Sequence, residues 1–143
     1  MTHLLDVNLL IAVLDPNHVH HGKAHQWIGS GTSLSWATCP LTENAFIRIT
    51  GSASYPNFLG SAAAARDLLA RNCSGKEYHF WADDISVCEK GLWDGWPTIQ
   101  SSHLTDLYLL ALAVKNKGKL ASLDRRIPAH LVRGGKEALL VLS

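Results

Sequence analysis

Short apolar runs alternate along this chain with longer segments of helical period, and that alternation narrows the available folds more than any other feature. His3–Leu5, Lys119–Leu123 and Ala138–Leu142 read as strands, and Ser33–Thr38, rich in β-formers before Cys39-Pro40, as another. Their apolar runs are continuous, so the strands are buried on both faces, as in parallel sheets covered by helices. Helices are expected at Val7–Leu14, His20–Ile28, Thr42–Thr50, Ser61–Asn72 and Leu104–Lys117. The expected architecture is α/β, a three-layer α/β/α sandwich around a central parallel β-sheet. With 143 residues, of which 47% are hydrophobic and 17% charged, the chain is expected to form one domain over 1–143.

Local signals punctuate this pattern. Asp15-Pro16-Asn17 stops the first helix, and Gly29-Ser30-Gly31 the second, in which Ala24, Trp27 and Ile28 share a face. Thr42 stands near the N-cap of the third, with Ala45, Phe46 and Ile49 inward. Gly51–Gly60 reads as a loop and Ser61 as the natural cap of the helix that follows. His79–Trp81 is a short edge strand. Gly91, Gly95 and Pro97 break any period across Asp83–Ser101, which is read as surrounding a loop. Leu104–Lys117 is apolar nearly all round from Leu107 to Val114 and so reads as buried, with Ser102 as its cap and Gly118 as its C′ residue.

A net charge of +1 excludes a histone-like coat of positive charge but not a nucleic-acid partner met by one face. Cys39, Cys73 and Cys88 form no CxxC, which argues against a disulfide scaffold and a zinc ribbon and for small core residues. The opening apolar run contains Asp6 and lacks a basic flank, so it reads as neither signal peptide nor membrane span. A soluble protein of a reducing cytoplasm is the expectation. Among the tryptophans, Trp27 and Trp36 are read as core, while Trp81, Trp93 and Trp96 are open between core, dimer interface and RNA contact.

In open parallel sheets ligands bind beyond the carboxyl ends of the strands. Asp6 and Asp124 each follow a strand immediately; Glu43 and Asp106 open helices. A helix N-terminus favours a single carboxylate by about 0.3–1 kcal/mol, which accounts for Glu43 or Asp106 alone but not for Asp6 and Asp124. Four converging carboxylates would repel and raise one another's pKa unless a cation were present. A hard divalent cation resolves the conflict. Mg²⁺ retains several waters, so two or three of the four acids are expected to bind it directly and the others through water.

LLDVNLLIAVLD at the start, CPLTENAFIRI in the middle and TDLYLLALAVKNKGKLASLDRR near the end resemble the PIN-domain ribonucleases, more narrowly the VapC toxins of type II toxin–antitoxin pairs. The resemblance spans roughly residues 2–130. It implies a PIN-like fold and a Mg²⁺-dependent endoribonuclease, with Mn²⁺ as substitute, that cleaves structured RNA (tRNA or ribosomal RNA) by metal-activated water. Asp6, Glu43, Asp106 and Asp124 match the family's acidic positions, and Asn8 and Thr105 its polar companions. Asp6 and Asp106 are then the expected direct ligands, and Asp124 binds through water or a second metal. Glu43 positions or deprotonates the attacking water, and Asn8 and Thr105 orient carboxylates; for Thr105 a helix-start preference serves equally well. The resemblance also implies a homodimer and a cognate VapB-like antitoxin, whose apolar anchor is expected near Val7–Leu14 and Ala45–Ile49.

Arg48, Arg125 and Arg126 lie nearest the acids in sequence and are candidates for RNA phosphate contact, or for pairing with antitoxin or pocket carboxylates. His18, His20, His21 and His25 crowd one segment; His21 and His25 have a spacing that can bind Zn²⁺, but no third ligand with matching spacing stands out, and a solvated or loop-anchoring role is the leading reading, ahead of RNA contact. Two other functions remain in view. A non-catalytic RNA-binding PIN domain would not need an intact acidic set. A receiver-like phosphoacceptor module would need an early acidic pair and a late strand-end lysine, where this chain has Asp124-Arg125.

Overall fold

The computed structural model describes residues 1–29 and 34–143. In chain order the elements are β1 (His3–Leu5), α1 (Val7–Leu14), α2 (His21–Ile28), β2 (Trp36–Thr38), α3 (Pro40–Thr50), α4 (Ala62–Asn72), β3 (Tyr78–Phe80), α5 (Leu104–Lys115), β4 (Lys119–Ser122), α6 (Gly135–Ala138) and β5 (Leu139–Val141). The strands form one sheet in the order β3-β2-β1-β4-β5. Every neighbouring pair is parallel, with Leu4 opposite Ala37 on one side and Leu120 on the other. Of the expected Ser33–Thr38 strand, Ser33 lies outside the described residues.

The strand pleat divides the apolar residues between two cores. Leu4, Ala37 and Leu120 face α5. Leu5, Trp36 and Ala121 face α1 together with Phe46 of α3 and Leu69 of α4. The result is the expected three-layer sandwich with β1 at its centre. Leu9 to Leu14 of α1 are all buried, as are Ala45 and Phe46. The apolar surface expected to receive an antitoxin near Val7–Leu14 and Ala45–Ile49 is therefore mainly interior.

Several boundaries differ from expectation for local reasons. α3 starts at Pro40, which suits a first helical position because the N–H it lacks would have no helical partner. Thr42 is the third helical residue, and its hydroxyl accepts from the Cys39 N–H at 3.0 Å. Ser61 does cap α4, accepting from Ala64 N–H at 2.9 Å. Ser102 does not cap α5: Ser101–His103 is a 3₁₀ turn leading into the helix, and His103 occupies the cap position. Segment 83–101 carries further 3₁₀ turns and supplies Ile85, Val87, Leu92 and Ile99, which cover the apolar outer side of α5. Trp93 is buried there, its indole N–H donating to Val87 O at 2.9 Å. Trp36 is buried as expected, whereas Trp27 and Trp81 are half-buried and Trp96 is 46% exposed. Cys39 is a core residue, but Cys73 is half-buried and Cys88 exposed.

The end of α5 corrects the expected role of Gly118. Gly118 N–H bonds Ala113 O at 2.9 Å and Lys117 N–H bonds Val114 O at 3.0 Å, the pairing of a Schellman turn. The left-handed C′ residue is Lys117, at φ 56°. Gly118 is required for space: a Cβ there would lie 2.4 Å from Thr2 O and 2.8 Å from the Trp81 ring. Lys117→Gly is expected to stabilise the protein by about 0.5–1 kcal/mol by relieving the left-handed conformation. Urea unfolding with an unchanged m-value would report it, and a lower midpoint would contradict it.

Candidate active site

The carboxyl ends of β1 and β4 lie side by side, and this adjacency builds the site. Asp6 follows β1 and is at the same time the N-cap of α1. One of its carboxylate oxygens accepts from Leu9 N–H at 2.8 Å. The other accepts from the hydroxyl of Ser122, the buried last residue of β4. Ser122 Oγ in turn accepts from Asp124 N–H at 2.9 Å, so one hydroxyl links both strand-end aspartates. Asp6 N–H bonds Ala121 O at 3.0 Å and fixes the chain exit against β4.

The electrostatics of the three aspartates are unequal. Burial pushes the Asp6 carboxyl up to about 6, and the charges of Asp106 and Asp124 add to the rise, against the opposing bonds from Ser122 and Leu9. Burial also raises Asp106, on the first turn of α5, with the Asp124 charge adding to it. Asp124 is lowered, first by the Arg126 backbone N–H and further by that residue's side chain, with Nε 3.2 Å from the carboxylate. His103 lies close enough to Asp106 and Asp124 to favour their charged forms.

The other sequence candidates are divided by the structure. Glu43 shares no hydrogen bond with the aspartates among the described residues. Its Oε2 accepts from the Thr38 hydroxyl at 2.7 Å and from the Tyr78 phenol at 3.3 Å, on the β2–β3 side of the sheet. Asn8 and Thr105 are exposed and, among the described residues, hydrogen-bond no carboxylate; at Asp6 the bond comes from Ser122. Arg48 lines a separate hollow with Ile49, Ser52, Ser54, Tyr55 and Pro56, away from the acids. Arg125 and Arg126 do border the site: with Asn8, His18, Val19, His20, Leu123 and Asp124 they line an open groove of about 540 Å³. Among the described residues, no third His, Cys, Asp or Glu joins the i, i+4 histidines in a metal-binding group. The His21 ring is tied to Ala12 O at 2.8 Å, the loop-anchoring role.

Ser122 and His103 were missed at the level of sequence. A serine within KLASL looks like any strand residue, and only its place two residues before Asp124 marks it.

Among the described residues, no three His, Cys, Asp or Glu side chains are gathered closely enough to hold a metal between them. Mg²⁺ asks for less, one or two carboxylates with water completing the octahedron. Asp6, Asp106 and Asp124 meet that requirement in type, and two of them are held above their ordinary pKa by burial and mutual repulsion, which a divalent charge relieves.

Fold and site thus define a parallel α/β sandwich with an aspartate centre at its strand ends. No family model matches the chain. Ribonuclease VapC44 of Mycobacterium tuberculosis is 38% identical over 134 residues, 94% of each chain. Ribonuclease VapC39 of the same organism is 36% identical over 139 residues, 97% of this chain and all of that one. Among solved structures, VapBC2 from Rickettsia felis bound to a DNA fragment from their promoter matches the whole chain with a TM-score of 0.55 at 13% identity, a likeness of fold. The chain belongs to the VapC ribonuclease family.

Proposed function

We propose that this chain is the toxic member of a type II toxin–antitoxin pair, a Mg²⁺- or Mn²⁺-dependent endoribonuclease restrained by a VapB-like antitoxin. Residues 1–143 act as one domain, in the cytoplasm and as a homodimer, on structured RNA of the tRNA or ribosomal class. The observation that carries the reading is the placement of Asp6 and Asp124 at the adjacent carboxyl ends of β1 and β4, joined through the Ser122 hydroxyl, with Asp106 on the first turn of α5, in a chain whose relatives are ribonucleases. No described helix is long and apolar enough to cross a membrane.

Asp6 and Asp106 would hold the metal directly, and Asp124 through water or at a second metal. When bound, the metal supplies a water of lowered pKa and neutralises phosphate charge. Ser122 keeps Asp6 oriented through its hydroxyl. Glu43 has Oε2 committed to Thr38 and Tyr78, leaving Oε1 to position a water. Arg125, on the groove wall, and Arg126, already paired with Asp124, would meet phosphate oxygens.

The test is incubation of the purified protein with total tRNA and ribosomal RNA, followed by sequencing of new 5′ ends. Discrete cuts are expected with Mg²⁺ or Mn²⁺ and none with EDTA; cutting that persists in EDTA would refute metal dependence. Expression of the chain alone is expected to arrest growth, and co-expression of the small protein encoded beside it to restore growth. Harmless expression of the wild type removes the toxin role.

A further inference from the structure

The groove beside the acids has a second wall that metal chemistry does not use. The turn joining α1 to α2 places His18, Val19 and His20 against Arg125, Arg126 and Asp124. This turn is held from several directions. Asp15, fully buried, accepts from the Tyr55 phenol, from Asn57 Nδ2 at 3.0 Å and from Asn17 N–H at 2.9 Å. His18 N–H bonds Asp15 O at 3.1 Å, His21 N–H bonds His18 O at 3.0 Å, and the His21 ring is anchored to Ala12 O.

So fixed, the turn leaves Val19 85% exposed between two imidazoles. The rings of His18 and His20 are 5.8 Å apart and tilted by 44°, so they do not stack face to face on each other. His18 Nδ1 accepts from His20 N–H at 3.0 Å. The neutral ring therefore carries its proton on Nε2, the nitrogen that remains a donor. Burial, followed by the neighbouring His20 charge and against the Asp15 carboxylate, lowers the His18 pKa.

We propose that the His18–His20 turn is a subsite for an unpaired RNA nucleotide next to the scissile phosphate, with Arg125 and Arg126 meeting the backbone. The inference rests on the ribonuclease reading above and adds to it where the substrate strand lies and in what form. Imidazole faces and an exposed aliphatic side chain form a platform for a nucleobase, and the His18 donor reads one acceptor on it. The platform is useful only for a base splayed out of a helix. Asp124 belongs to both the groove and the acidic centre, so a strand on the platform continues directly to the reacting phosphate. An acidic antitoxin peptide would use the arginines but would leave the platform idle.

The test is fluorescence anisotropy with a labelled oligouridylate in EDTA, using the full chain. His20→Ala is expected to weaken binding about 10-fold through lost stacking. Two variants separate binding from folding at position 18. His18→Asn keeps an acceptor for His20 N–H but loses the outward donor, and is expected to bind about 5-fold more weakly. His18→Gln keeps the outward donor and is expected to bind nearly as the wild type. Removing the neutral His18 leaves the salt dependence unchanged, whereas Arg125→Ala lowers the slope of log affinity on log salt by about 0.7. Arg48→Ala, on the separate hollow, changes neither.

Unchanged affinity in His20→Ala and His18→Asn overturns the subsite while leaving the nuclease reading intact if the wild type still cleaves RNA. If those variants bind RNA normally but no longer retain the antitoxin in a pull-down, the groove belongs to that protein instead. Absence of both RNA binding and cleavage by the wild type removes both readings.

Discussion

Asp6→Asn is expected to abolish RNA cleavage and, in metal-free buffer above pH 6, to leave a more stable protein. The first effect follows from losing the carboxylate proposed above as a direct ligand, which should exceed the roughly 10–100-fold cost typical of an outer group. The second follows from the raised carboxyl. A group whose pKa is higher folded than unfolded binds its proton more tightly in the native state. Its contribution is most favourable below the unfolded value of 3.8 and is lost as pH rises through about 6. The gap of about two units corresponds to about 3 kcal/mol of destabilisation at neutral pH. Asparagine keeps the acceptor for Leu9 N–H and is itself a good N-cap, so it removes the charge without removing the cap. Thermal melts in EDTA at pH 8 should place the variant several degrees above the wild type, at about 2–4 °C per kcal/mol. The difference should vanish below pH 4, and Mg²⁺ should raise the melting temperature of the wild type far more than that of the variant. A variant that melts lower at pH 8 would show that Asp6 is not charged at a cost.

Gly118→Ala is expected to be the most damaging of the small substitutions, at about 3 kcal/mol or more. The new Cβ meets the Thr2 carbonyl oxygen, which Lys119 N–H already holds at 3.0 Å at the start of the β1–β4 pairing. Neither partner can move without opening that pair. The Trp81 ring blocks the other direction. Because the same pair sets Asp6 beside Ser122, cleavage should fall together with stability. Denaturant unfolding with a parallel activity assay reads both, and wild-type values for the alanine variant would mean that the close approach is not rigid. The neighbouring Lys117→Gly should move stability the opposite way, which separates a steric requirement for glycine from a conformational one.

The layers of this fold were legible because strand burial and helix periodicity are local properties. β1 carries two fully buried leucines, α4 begins at a serine and carries a continuous alanine run, and α5 is apolar nearly all round from Leu107 to Val114 because segment 83–101 covers the side away from the sheet. That covering segment was not legible, since its turns obey tertiary packing and no period. Asp6 and Asp124 could be read as neighbours because strand ends converge in a parallel sheet. The direction of the Glu43 side chain could not be read, because position on a helix does not fix it and the Thr38 and Tyr78 hydroxyls draw it aside. Arg48 is near Glu43 in sequence, yet its side chain faces a different hollow. Ser122 escaped notice because its importance is a contact with Asp6, 116 residues away.

That separation governs when the site can exist during synthesis. The central strand is the first to leave the ribosome, but the partner that supplies Ser122 and Asp124 is among the last. A nascent chain stalled or truncated before β4 carries Asp6 without the groups that complete its surroundings, so partial products have no assembled aspartate centre. The aspartate centre thereby waits for β4 to be made and paired, and the long-range pairing that slows folding also delays the moment at which the molecule can act.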